Sequence, residues 1–156
     1  MNIGSEHASM VDEMGLLVTR QIDPKRFYIR YQNPLSFTGI SEPEPDLALV
    51  SGNPANYRNR HPSADECRLI IEVADSSLKH DCETKAGVYA RAEIADYWVL
   101  NLRDRQLIWF SEPDNQACLY RNHHIFMPTE TVSLTLENQS KIEFSLSEVF
   151  PENQNS

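Results

Sequence analysis

The stretch CRLIIEVA, residues 67–74, constrains this chain more than any other. It is the most buried-looking strand in the sequence, yet it carries a carboxylate, Glu72, between Ile71 and Val73. Glu is depleted from strand interiors of this kind. Burying its charge is costly unless something compensates, and a metal ion, a cationic side chain or a solvent-filled cleft would each do so. A second acid raises the same question, because Asp46 follows Pro45 at the head of the short apolar strand DLALV.

The rest of the chain supplies the frame for these two strands. SMVDEMGLLVTRQI, residues 9–22, has the one-face apolar spacing of a helix, with Ser9 and Asp12 as a capping box at its start. RFYIRYQN reads as a strand, and QNPLSFTGISEPEP as a bend punctuated by proline and glycine. SGNPANYRNRHPSADE is a polar loop rich in turn formers, mobile or functional. HDCETKAGVYARAEI reads as a second helix, with Asp81 as its N-cap and Ala86, Tyr89, Ala90 and Ile94 on its packing side. DYWVLNL and RQLIWF follow as a tight hairpin with Arg103 and Asp104 between them, then three more strands, and SLSEVF as a short terminal helix. Helix, strands, helix, strands is the order of a mixed α+β sheet flanked by helices.

A chain of 156 residues is expected to form one domain around one core. No apolar run is long enough to span a membrane and no secretory signal is visible, so a soluble, cytoplasmic protein is expected. Cys67, Cys82 and Cys118 form an odd, widely spaced set without a CxxC pair, which argues for reduced thiols over a disulfide framework or structural zinc. The net charge of −9 counts against tight, nonspecific binding of polyanions. It leaves room for a metal-dependent enzyme, because clustered carboxylates lower the net charge until a cation arrives.

On adjacent strands, Asp46 and Glu72 would share one hard cation, Mg²⁺ being the natural choice. Lys85, on the helix that follows the Glu72 strand, would then aim an ammonium at the same place to orient water or stabilise transition-state charge. Plainer readings stand beside these. Asp46 after Pro45 is also a good turn residue, Glu72 a paired structural acid, and Lys85 the partner of Asp81 in an exposed i,i+4 pair. Arg58, Arg60 and His61 read as a basic patch contacting phosphates or as solvated loop charge. His7, just before the first helix, reads as a surface histidine, with approach to the site as the alternative. His123 and His124 point to opposite faces of a strand and cannot chelate one ion. A cysteine hydrolase built from Cys82 and His80 fails because neighbours two apart on a helix do not face each other. Trp98 is expected in the core; Trp109 stays open.

The segments SEPEPDLALV, YRNRHP and RLIIEVADSSLKHDCETKAGVYARAEIADYWVLNL together resemble the Uma-type restriction endonuclease family of the PD-(D/E)XK nuclease superfamily. The likeness runs from about His7 to Phe110 and more loosely beyond. It implies a restriction-endonuclease-like core over about residues 7–150, a divalent cation (Mg²⁺ or Mn²⁺), and phosphodiester hydrolysis in DNA by a homodimer. Carried over by residue, Asp46 is the acid of the "PD" motif, Glu72 is the second metal-binding acid with the Val73 carbonyl as a further ligand, and Lys85 stands in the segment that opens the following helix. The superfamily lysine normally lies two residues past the second acid, where this chain has Ala74, so Lys85 is expected to serve from the helix. The family's "YELIDGE"-like front segment has no counterpart here, which implies a start codon assigned too late or a trimmed, inactive copy. In the latter case the expected function is that of a degenerate nuclease fold binding nucleic acid or protein.

Overall fold

A computed structural model describes residues 4–39 and 42–151. Six strands form one sheet in chain order: β1 (Phe27–Tyr31), β2 (Leu47–Ser51), β3 (Cys67–Ala74), β4 (Asp96–Asn101), β5 (Gln106–Asp114) and β6 (Leu119–Phe126). Every neighbouring pair is antiparallel except β3 and β4, which run parallel. A parallel pair needs a crossover, and the chain makes it through α2 (Leu78–His80), a π-helical turn (Asp81–Lys85) and α3 (Ala86–Arg91). A two-stranded sheet, β7 (Thr131–Thr135) with β8 (Lys141–Ser145), and a 3-10 turn at Leu146–Glu148 end the fold.

The alternation of β3 divides the core in two. Leu69, Ile71 and Val73 join Trp98, α1 (Ser5–Thr19) and the β7–β8 hairpin on one face. Ile70 and Ala74 join Tyr89, Tyr97 and the Leu35–Phe37 segment on the other. Because both faces are covered, β3 reads as a nearly continuous apolar run. Glu72 belongs to the second face, beneath the crossover helix.

Several local expectations shift. The first helix starts at Ser5 with Gly4 as its cap, so Ser9 is an interior residue and no capping box forms there. The polar turn before Met10 contains no breaker, and Glu6 in the first turn suits the helix dipole. The second helix begins at Leu78, which makes Asp81 an interior, buried residue instead of an N-cap. The β4–β5 connection takes four residues, Leu102–Arg105, with Arg105 at φ 55°. The loop after β2 is ordered by two capped 3-10 turns, Pro54–Tyr57 and Ala64–Glu66. Trp98 is fully buried as expected, and Trp109 is half-buried, donating to Asp96 Oδ1 at 2.9 Å. Among the described residues no helix is long and apolar enough to cross a membrane.

Candidate active site at the carboxyl end of β3

The β2–β3 ladder ends at the pair Leu47 and Ile71, and the next two residues, Asp46 and Glu72, replace its backbone bonds with side-chain ones. The Asp46 N–H donates to Glu72 Oε1 at 2.8 Å, and the Val73 N–H donates to Asp46 Oδ2 at 2.8 Å. Each carboxylate thereby satisfies a backbone donor that the ladder has left free. Pro45, which has no N–H, is one reason the ladder stops here.

The crossover helix completes the cluster. Lys85 Nζ lies 2.9 Å from Glu72 Oε2 and 3.2 Å from Asp81 Oδ1. Tyr89 Oη donates to Glu72 Oε2 at 2.9 Å, and Ser77 Oγ to Asp81 Oδ2 at 2.6 Å. Lys85 and Tyr89, four apart on one helix face, both reach Glu72, and Asp81 meets Lys85 across the π-helical turn. The side chains of Glu72 and Asp81 are 1% and 2% exposed, that of Lys85 36%. The cost of burying Glu72 is therefore offset by a cation, a phenol and a backbone amide.

Burial still dominates the titration of Glu72 and, with the charge of Asp46 adding and Lys85 opposing, pushes its carboxyl up to about 7. For Lys85, burial works to lower the pKa, but the charges and hydrogen bonds of Glu72 and Asp81 outweigh it and raise the ammonium above its ordinary value. With all three acids ionised the cluster carries two more negative charges than positive.

The structure brings together Asp46, Glu72 and Lys85, with the Val73 backbone at their junction. It also brings in His7, whose Nε2 is 3.2 Å from Asp46 Oδ2, so this histidine faces the site and is not a surface residue. Gln32 reaches Asp46 Oδ1 at 3.4 Å. The spacing of Asp81, Lys85 and Tyr89 was readable in the sequence, whereas His7 lies 39 positions from its partner with no local signal.

Arg58, Arg60 and His61 are not brought to this cluster. Their loop leaves the far end of β2, five residues or about 17 Å along the strand from Asp46. Arg60 is bound there by Glu66, at 2.5 and 2.9 Å, and lies over the Tyr57 ring. Arg60→Ala should accordingly lower stability only slightly in urea unfolding and leave DNA affinity unchanged; a large loss of DNA affinity would return the loop to the substrate path. At the acid end stand Arg103 and Arg105 instead, lining a cleft of about 410 Å³ with Glu6, Met10, Leu102 and Phe150.

Each carboxylate keeps one oxygen with spare acceptor capacity. Among the described residues Glu72 Oε1 accepts one bond and Asp46 Oδ1 the long one from Gln32. The Val73 N–H points to the β2 side, and in a strand the carbonyl of the same residue points the same way. Two carboxylate oxygens and a carbonyl are the oxygen donors a hard, largely hydrated cation takes. Among the described residues no three His, Cys, Asp or Glu side chains converge to hold an ion.

The family model Uma2, described as "Putative restriction endonuclease", matches residues 2–147. A crystal structure of "a putative nuclease belonging to DUF820" from Anabaena variabilis ATCC 29413 superposes with a TM-score of 0.72 at 14% identity, over 96% of this chain and 82% of that one. No curated protein matches.

Proposed function

The chain belongs to the Uma2 restriction endonuclease family, and from that premise we propose that it is a metal-dependent DNA endonuclease that hydrolyses phosphodiester bonds by in-line attack of water. The observation that carries the proposal is the junction at the end of β3, where the Asp46 amide holds Glu72, the Val73 amide holds Asp46, and Lys85 contacts Glu72 from the crossover helix.

Asp46 through Oδ1, Glu72 through Oε1 and the Val73 carbonyl would hold Mg²⁺ or Mn²⁺. Such an ion supplies charge neutralisation on the scissile phosphate and a more acidic water. Lys85 orients the attacking water and faces the negative charge that builds up in the transition state. Tyr89 and the Asp46 amide hold the Glu72 carboxylate in one orientation, and the Val73 amide and His7 do the same for Asp46. Arg103 at the same end of the sheet, exposed although its Nε pairs with Asp75, is suited to a flanking phosphate, whereas Arg105 donates to the Phe150 and Pro151 carbonyls. One domain spanning residues 1–156 acts in the cytoplasm, and cutting both strands is easiest with two such sites, hence a homodimer.

A second reading, an inactive nuclease fold that binds nucleic acid or protein, draws on the net charge of −9. Supercoiled plasmid separates the two. The nuclease should nick it with Mg²⁺ or Mn²⁺ and leave it intact in chelator. A folded protein that neither cuts nor gains thermal stability from either ion would establish the second reading instead.

A further inference from the structure

Lys85 has two acidic partners, and the chemistry proposed above uses only one of them. Asp81 is as deeply buried as Glu72, touches neither Asp46 nor the Val73 backbone, and is no candidate ligand. It is fixed from behind by the Ser77 hydroxyl at 2.6 Å, and its backbone carbonyl accepts from Tyr97 Oη at 2.8 Å. Its other oxygen, Oδ1, has no hydrogen-bond partner among the described residues and faces the Lys85 ammonium at 3.2 Å as an ion pair. A buried carboxylate held this firmly and turned toward one cation is an anchor for that cation.

The need for an anchor follows from the fate of Glu72. Once Glu72 shares its charge with a cation, its attraction for the Lys85 ammonium falls and two positive charges stand on one carboxylate. With Glu72 as its sole partner, Lys85 would swing to solvent, toward which its side chain is already 36% open. We propose that Asp81 is a positioning residue that retains Lys85 beside the scissile phosphate when Glu72 is taken up by the metal. This rests on the nuclease reading of the site.

Two measurements test it, one independent of cleavage. The chain has four lysines, Lys25, Lys79, Lys85 and Lys141, so the ¹⁵Nζ ammonium signal of Lys85 is assignable by Lys85→Arg. That signal is sharp only while the ammonium is held in ion pairs. It should persist in Asp81→Asn and in Glu72→Gln, the neutral mimic of a metal-bound Glu72, and vanish in the double variant. Loss of the signal in Glu72→Gln alone, or its survival in the double variant, would overturn the proposal. Should the double variant not fold, Asp81→Asn with saturating Mg²⁺ poses the same question and should lose the signal that the parent protein keeps.

The second measurement is plasmid cleavage at saturating Mg²⁺. Asp81→Asn should lower kcat by at least about tenfold and leave KM within about twofold. In a Lys85→Ala background it should cost nothing further, because its target is gone. An equal loss in both backgrounds would make Asp81 a purely structural residue. If the parent protein does not cut at all, the nuclease reading falls, while the ammonium pattern still decides whether Asp81 holds the lysine.

Discussion

Asp46→Asn and Lys85→Met should each slow metal-dependent plasmid cleavage by about 10²–10³-fold, and they should move metal affinity in opposite directions. Asp46→Asn removes a negative ligand and weakens Mn²⁺ binding. Lys85→Met removes the ammonium that lies 2.9 Å from Glu72 Oε2 and competes with an incoming cation for that carboxylate, so it tightens Mn²⁺ binding while slowing the reaction. Titration calorimetry with Mn²⁺ reads the first effect and nicking rates at saturating metal read the second. Because Lys85→Met strands two buried acids, the apo variant should also lose about 2–3 kcal/mol, a value discounted for the partial exposure of the ammonium. Added Mn²⁺ should recover much of this. Metal-dependent cutting at the parental rate in both variants would sink the site assignment.

The stability of the metal-free protein should fall by about 3 kcal/mol as pH rises from about 4.5 to about 7, owing to Glu72 alone. Its folded-state pKa of about 7 lies above the ordinary 4.5, so the folded chain holds this proton more tightly than the unfolded one. The contribution is fully present below 4.5 and is lost as pH rises through 7. Asp96, raised by burial, acts in the same sense. Glu66, held low chiefly by Arg60, acts in the opposite sense but below the ordinary carboxylate range, outside this window. Urea unfolding of the parent and of Glu72→Gln at pH 5 and 7.5 isolates the term, since the amide does not titrate. Equal pH slopes in the two proteins would mean that Glu72 stays ionised throughout. Saturating Mg²⁺ should flatten the parental curve, because the cation replaces the proton.

The strand bearing Glu72 was legible because its apolar run is bounded by Glu66 and Asp75, and burial on both sheet faces leaves no other reading of so dense a stretch. The positions of Asp46 and Lys85 followed from a resemblance, and their convergence depended on the β2–β3 register, which the pattern of residues suggests without fixing. Asp81 was misplaced because an N-cap and a buried interior aspartate look the same in sequence: each is an acid one turn before a lysine. Only the extra turn at Leu78–His80 separates the cases. His7 was read first as a surface residue, with approach to the site only as the alternative, since nothing near it in the chain reports on a carboxylate that tertiary packing brings alongside. The loop carrying Arg58, Arg60 and His61 was basic by count, but it leaves the far end of β2 and its Arg60 is paired with Glu66.

The π-helical turn at Asp81–Lys85 sits between an anchor and the side chain it anchors. Such turns widen a helix locally and are found mostly where function requires them. Removing one of the three intervening residues, Cys82, Glu83 or Thr84, would advance everything after it by about 100° around the axis. Lys85, Tyr89 and Ala90 all follow the deletion and would turn together, so either they leave Glu72 and the sheet or Asp81 leaves its place beside Lys85. The spacer therefore constrains this segment chiefly by its length: changes at the exposed Glu83 and Thr84 are readily absorbed, Cys82 packs half-buried against the second core, and a single-codon deletion breaks the alignment of Asp81, Lys85 and the strand that carries Glu72.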